Sequence, residues 1–348
     1  MNLLNCLNSL NLFIGLIFDE FVIPLCQRPI NQNQSMKHLS GLGSNKRKIV
    51  VAGILVLLVG AGCKFYFKTT EDKFTSTRSN DSFERGKNLA FNICAGCHYD
   101  HKVNKFIGKP LHDLPRIAGR LVSANLTNST TNGIPPKYTD ADLFYLLKTG
   151  IGRSGRFLPY MMRPMMADED INDIIVYLRS NDPAVAAADT TVGKTYINLV
   201  GKFGIRLGAS PQPYNKGVQR PNENDPLAYG KYLVAVIGCY HCHSSKVMGL
   251  NYADPEKSKG YLAGGIKLKT PEGKRIFGPN LTPDKETGIG NFTKEDFRNA
   301  VREGITPSGR KLSPPMGQWK SLTDKQVDAI YTYLQGLQPK THKIRRIT

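Results

Sequence analysis

Apolar residues recur at helical spacing in two separated stretches of this chain, and the stretches match each other. In residues 168–178, Ile171, Ile174, Ile175 and Leu178 fall on one helical face; in 324–334, Val327, Ile330, Tyr331 and Leu334 do the same. Each runs nine positions from Asp to Tyr, Asp168 to Tyr177 and Asp324 to Tyr333. Upstream, Tyr138-Thr139-Asp140-Ala141-Asp142-Leu143 answers Phe292-Thr293-Lys294-Glu295-Asp296-Phe297. Both contain Thr-x-x-Asp, an N-cap arrangement that sets a carboxylate in the first turn of a helix. These two helices are expected to stop alike, at Lys148-Thr149-Gly150-Ile151 and Arg302-Glu303-Gly304-Ile305, because Gly after a basic last turn is a stop signal.

The parallel continues toward the N-terminus of each stretch. Phe83-Glu84-Arg85-Gly86-Lys87 answers Tyr229-Gly230-Lys231-Tyr232-Leu233, and Ser123-Ala124-Asn125-Leu126-Thr127 answers Gly278-Pro279-Asn280-Leu281-Thr282. Two copies follow, 82–182 and 225–338, each on the order of a hundred residues, an ordinary small domain. Strand-like alternation is scarce, so the expected fold is all-α. Between the copies, 183–224 is rich in Pro, Gly and Asn and reads as a linker draped over one or both; 339–348 is a basic tail.

The N-terminal part has a different pattern. Lys46-Arg47-Lys48 precedes an apolar run from Ile49 to Cys63 that resumes after Lys64 as far as Phe67. The run is short of the ~20 residues a spanning helix wants, but with Lys64 snorkelling toward the headgroups it can cross a bilayer. The basic cluster before it keeps the N-terminus inside and exports the rest. Residues 46–68 therefore read as a signal anchor, or as a signal peptide cleaved near Gly60-Ala61-Gly62, with Cys63 faintly resembling a lipoprotein site. Residues 1–45 read as an extension, with Met36 as the expected true start; 69–81 is polar and reads as a tether.

Each copy carries one five-residue motif that the helical pattern does not explain. Cys94-Ala95-Gly96-Cys97-His98 and Cys239-Tyr240-His241-Cys242-His243 both read C-x-x-C-H, the attachment signature of c-type haem. Two thiols add to the porphyrin vinyl groups, and the adjacent imidazole reaches the iron. The expected cofactors are two covalently bound haem c groups, on Cys94 and Cys97 with His98, and on Cys239 and Cys242 with His243. The other three cysteines, Cys6, Cys26 and Cys63, precede the first motif, so the folded part has no thiols for a disulfide framework. Zinc needs paired knuckles within a short span, and a redox dithiol expects a thioredoxin-like pattern; neither is present.

An electron-carrying haem iron needs a second axial ligand, and Met opposite His raises its potential. In the second copy Met316 follows Pro314-Pro315 on a stiff loop, 73 positions after His243. In the first, Met161 and Met162 follow Gly155-Arg156-Phe157-Leu158-Pro159-Tyr160; Met161 is preferred and Met162 stays open, while Met166 reads as core. His101, His112 and His241 read as surface groups near the motifs. Trp319 reads as packing against a haem edge, and Asn125 and Asn280 as turn residues. The net charge of +19 reads either as an ordinary soluble basic surface or as one that meets acidic protein partners or anionic lipid, and with no recognition motif it does not argue for nucleic acid.

On these residues both copies resemble class I cytochrome c domains. The tandem is similar to the cytochrome c subunits of membrane-bound alcohol, sugar and gluconate dehydrogenases, through Cys239–His243, Tyr229-Gly230-Lys231, Asn280-Leu281-Thr282-Pro283-Asp284 and Arg310 to Met316. It departs from the three-haem members in having two motifs, and the first copy has Thr127-Asn128-Ser129 in place of Thr-Pro-Asp. The resemblance implies an all-α fold, an exported location on the periplasmic face of the cytoplasmic membrane, and an electron-transfer role without catalysis of its own. The implied partners are a dehydrogenase subunit as donor and an oxidase or quinone-linked complex as acceptor. A dihaem peroxidase is the competing reading; it needs one open iron and a nearby acid/base group.

Overall fold

The computed structural model of the chain describes Gly53 and residues 67–344, except 112–115, 271 and 313. Apart from Gly53, the N-terminal segments, the proposed start at Met36 and the anchor up to Tyr66 lie outside the described residues, as does His112. Among the described residues no helix is long and apolar enough to cross a membrane. All elements below belong to one compact unit, Lys64–Thr348.

In the first copy, α1 (Ser82–Leu89) runs through a π-helical turn (Ala90–Cys94) into α2 (Ala95–His98), followed by α3 (Asp140–Thr149) and α4 (Asp168–Leu178). In the second, α6 (Pro226–Ile237) leads to α7 (Tyr240–His243), then α8 (Lys294–Arg302) and α9 (Asp324–Gln335); α5 (Leu199–Gly208) lies between the copies. The expectation of an all-helical chain needs one amendment. β1 (Pro110–Leu111), β2 (Gly119–Val122) and β3 (Tyr196–Ile197) form a small antiparallel sheet, and β4 (Lys267–Lys269) pairs with β5 (Arg275–Phe277). Strands of two to four residues carry too little alternation to register as a period-2 signal.

The first and last helices of each copy cross closely, and a glycine makes the crossing possible. A Cβ on Gly86 would lie 1.9 Å from the Asp173 carbonyl oxygen, and one on Gly230 would lie 2.0 Å from that of Ala329. Tyr177 and Tyr333 flank the two crossings in the same way. The predicted faces are inside: Ile171, Ile174, Ile175, Leu178, Val327, Ile330 and Leu334 are all buried. Tyr331 is only half-buried, and Tyr333 takes the deep position, because the helix turns that edge toward the Gly230 crossing.

Both expected capping boxes form, Thr139 with Asp142 and Thr293 with Asp296. Gly150 (φ 78°) and Gly304 (φ 68°) supply the left-handed stops. The basic residue of each last turn does more than complement the helix dipole. Lys148 Nζ reaches Asp168 at 2.7 Å and the Met166 carbonyl at 2.6 Å; Arg302 reaches Asp324 at 2.7 Å and the Leu322 carbonyl. Each copy thus ties the end of its third helix to the start of its last.

The copies share one apolar core. The buried Asp170 carboxylate accepts from Tyr232 and pairs with Arg220 at 2.7 Å; Gln326 donates to Asn88 at 2.9 Å. Burial pushes the Asp170 carboxyl above its usual range, against the pull of Tyr232 and Arg220. The linker is spent mostly on the first copy: β3 pairs with β2, and Asp168 N–H donates to Val218 at 2.8 Å. The stretch 69–81 also lies on that copy, with Phe74 against Phe144 (centroids 4.6 Å) and Ser76 Oγ donating to Asp140 at 2.7 Å.

Gly86→Ala and Gly230→Ala are expected each to destabilise the protein by about 1–3 kcal/mol or more, since the new methyl meets rigid backbone. Guanidinium unfolding measures this; an unchanged midpoint for either variant counts against the crossing geometry.

Candidate haem sites

The two C-x-x-C-H segments are reached by different routes. In the first copy the helix runs on through the π-helical turn to His98; in the second, α6 stops at Gly238 (φ 88°) and restarts as α7. Both routes end in the same geometry. His98 Nδ1 lies 2.8 Å from the Ala124 carbonyl oxygen, and His243 Nδ1 lies 2.8 Å from that of Pro279. A carbonyl accepts, so Nδ1 carries the hydrogen and Nε2 is the nitrogen left to ligate. Both imidazoles are buried, and burial lowers both pKa values, favouring the neutral, ligating form.

The carbonyls are held by the matched asparagines. Asn125 Oδ1 accepts from Thr127 N–H, and Asn280 Oδ1 from Thr282 N–H, each at 2.9 Å. These are the turns expected at both positions. Each amide also donates to a returning strand of chain, Asn125 to Ala188 at 2.7 Å and Asn280 to Lys340 at 2.6 Å. The histidine carbonyls are bonded too, by Gly108 N–H to His98 at 2.8 Å and by Gly264 N–H to His243 at 2.6 Å. One position differs between the copies. Ser123 Oγ donates to the Cys97 carbonyl at 2.6 Å, whereas Gly278 lies so close to Cys242 that a Cβ would be 1.9 Å from its carbonyl oxygen.

The four motif cysteines are half-buried. Burial pushes the Cys94 and Cys239 thiols up to about 12, so they are neutral before attachment. A donor set of two thiols and one Nδ1-anchored imidazole, repeated, fits covalent haem c.

The methionine loops start in the same register. Leu158 N–H donates to Gly150 and Leu312 N–H to Gly304, each at 2.7 Å, which sets Met162 level with Met316. The register shifts by two residues before Arg163 N–H bonds to Leu147 and Trp319 N–H to Val301. Met162 is fully buried behind Gly150; Met161 is half-buried against the core cluster that Cys94 also joins, and Met316 is half-buried. Met166 is wholly buried, in the core.

Arg163 was not singled out by its sequence context, yet it is the counterpart of Trp319. Arg163 Nε donates to the Val236 carbonyl at 2.9 Å, on the helix leading to the second motif; Trp319 Nε1 donates to the Asn92 carbonyl at 3.0 Å, on the turn leading to the first. Each copy's methionine loop therefore caps the other copy's haem-motif helix. The Arg163 charge acts on Cys94 and Cys97 on one side and on Tyr240 and Tyr252 on the other. Burial, with Arg163 beside it, holds His241 down to about 3; its Nε2 is buried without a hydrogen-bond partner among the described residues, so it is not a surface group. His101 stays exposed, edge-on to Tyr99.

Comparison with known proteins places part of this chain in a class. Residues 227–338 match the cytochrome c family, so the second copy is a cytochrome c domain. The chain is 34% identical over 134 residues to the fructose dehydrogenase cytochrome subunit of Gluconobacter japonicus, covering 38% of this chain and 24% of that protein. It is 37% identical over 120 residues to the gluconate 2-dehydrogenase cytochrome c subunit of Pantoea cypripedii (33% and 24%). It is 35% identical over 141 residues to the cytochrome c subunit of the quinone alcohol dehydrogenase of Gluconobacter oxydans (40% and 27%). The chain spans about a quarter of the length of these relatives.

Gly278→Ala is expected to cost about 1–3 kcal/mol by forcing the Pro279 carbonyl off His243. Ser123→Ala removes the bond to the Cys97 carbonyl and the acceptor of the Lys109 N–H, and is expected to cost about 1–3 kcal/mol. Chemical unfolding of the two variants checks both losses; an unchanged midpoint for either contradicts its local geometry.

Proposed function

We propose that the chain is a dihaem c-type cytochrome that carries electrons from an exported dehydrogenase, or another donor, to the respiratory chain. The observation that carries this reading is the same 2.8 Å Nδ1–carbonyl bond on the histidine of both C-x-x-C-H motifs. Haem c, when bound, supplies one-electron exchange between Fe(II) and Fe(III). Cys94 and Cys97, and Cys239 and Cys242, hold it covalently. His98 and His243 would ligate its iron through Nε2, with Met161 and Met316 as the second ligands. The relatives' names support a dehydrogenase as donor, with an oxidase or quinone-linked complex as acceptor. In this reading the protein sits on the periplasmic face of the cytoplasmic membrane, anchored by 46–68, or free in the periplasm if that segment is cleaved. The basic surface steers an acidic redox partner at low salt.

The contribution of the polypeptide is rigidity and electrostatics. The Asn125 and Asn280 turns fix the imidazoles, and the buried core excludes water. The reciprocal Arg163 and Trp319 contacts hold the two motif segments against one another. A redox titration followed optically tests the function. Two low-spin centres with the weak red-edge band of Met–Fe(III) are expected; a high-spin centre with peroxide turnover supports the peroxidase instead.

Four variants sharpen the assignment. Met161→Ala is expected to remove the band of one centre and Met316→Ala that of the other, while Met162→Ala leaves both bands; loss of the band in Met162→Ala moves the ligand by one residue. Arg163→Gln removes a positive charge beside the first motif. A cation disfavours the more positive Fe(III), so this variant is expected to lower the midpoint of the first centre. Potentiometry reads it, and an unchanged potential contradicts that placement of the charge.

A further inference from the structure

Helix α5 presents an apolar strip to solvent. Leu199 is 65% exposed, Val200 60% and Leu207 40%. Phe203 is half-buried between them. Positions 199, 203 and 207 follow the i, i+4 row with 200 beside it, so the four make one face. The opposite face is seated. Gly201 is buried, where a Cβ would lie 2.4 Å from the Ala118 carbonyl oxygen, and Asn198 caps the helix while donating to Ile117 at 2.7 Å. The helix packs on two short turns that extend the apolar surface, through Ile117 (77% exposed) and Met248 (73%). A soluble surface seldom gathers so many large apolar side chains.

Two further observations indicate what covers this face. The strip is edged by cations: Lys202 and Arg206 lie a turn apart on one side of α5, and exposed Lys246 adjoins Val247 and Met248. Arg206 also sits 5.3 Å from the centroid of the Phe67 ring, and Phe67 N–H bonds to the Gly155 carbonyl at 2.8 Å. Phe67 is the last residue of the apolar run that begins at Ile49. The chain therefore reaches the folded unit beside α5, directly from the segment read as a membrane anchor.

We propose that α5 and the turns beside it form a membrane-docking surface. Leu199, Val200, Phe203 and Leu207 enter the acyl boundary of an anionic bilayer, and Lys202, Arg206 and Lys246 meet its phosphates. The proposal rests on the reading of 49–67 as an anchor, which brings this face to the lipid. A lipid surface suits a convex strip with a cationic border better than a protein groove does, and it fits the net charge of +19. Docking fixes the orientation of the folded unit on the membrane, and hence which face meets a soluble donor.

Hydrogen exchange on the full haem-loaded chain tests it, with the protein reconstituted in vesicles of phosphatidylcholine alone or mixed with phosphatidylglycerol. Amides of 203–208 are expected to exchange roughly tenfold more slowly in the anionic vesicles than in detergent, as about 1.4 kcal/mol of added local stability would give. The double variant Val200→Asp/Leu207→Asp is expected to lose the slowing with its haem spectrum unchanged. Lys202→Glu/Arg206→Glu is expected to lose the preference for phosphatidylglycerol. Unslowed amides overturn the proposal, as does slowing that needs a second protein or that rises with protein concentration without lipid. Carbonate extraction of the same vesicles reads the anchor separately. Retained anchoring with unslowed amides sinks the docking surface alone; extracted protein sinks the anchor and the proposal with it.

Discussion

The structure depends on a backbone carbonyl held still behind each motif histidine. An imidazole can ligate through either nitrogen and rotate about two bonds, so a histidine that is to ligate needs a hydrogen-bond partner on its other nitrogen to fix its tautomer and plane. Here the partner is main chain, Ala124 or Pro279, and it is fixed by the asparagine turn that follows. The turn is fixed in its own right by a strand of chain from outside the helices, near Ala188 in one copy and near Lys340 in the other. The segments that look like linker and tail are therefore the outer wall of each site.

A second constraint is the join between the copies. The residue that closes each methionine loop, Arg163 or Trp319, spends its side chain on a carbonyl shortly before the other copy's first cysteine, Val236 or Asn92. The exchange is symmetric in place but not in chemistry: one side offers a charge and the other an indole. Two sites of like construction are thereby given unlike surroundings; in the proposed dihaem reading this difference would set their potentials apart. The shared core and the Asp170–Tyr232–Arg220 cluster keep the join from behaving as a hinge.

Much of this was legible because it is local. Thr139 and Thr293 announce their helices three residues before the answering carboxylates, and the C-x-x-C-H segments carry their chemistry within five positions. What was not legible is long-range. Nothing near Arg163 marks it as a partner of Val236, and nothing near Tyr196 marks it as the end of a sheet begun at Pro110. Tyr331 and Tyr333 both fit an amphipathic helix; only the crossing at Gly230 decides which goes deep. The choice between Met161 and Met162 is of the same kind. The second copy takes two extra residues before Trp319, and the loop's hydrogen bonds put the change of register between Leu158 and Arg163, a stretch that holds both methionines.

Both motif cysteine pairs are proposed to hold haem through covalent bonds. Pyridine haemochrome analysis of the purified chain, set against its intact mass, tests this most directly. Two c-type haems per polypeptide are expected, with a mass raised by two haem groups. One haem per chain, or a pigment removed by acid acetone, contradicts it.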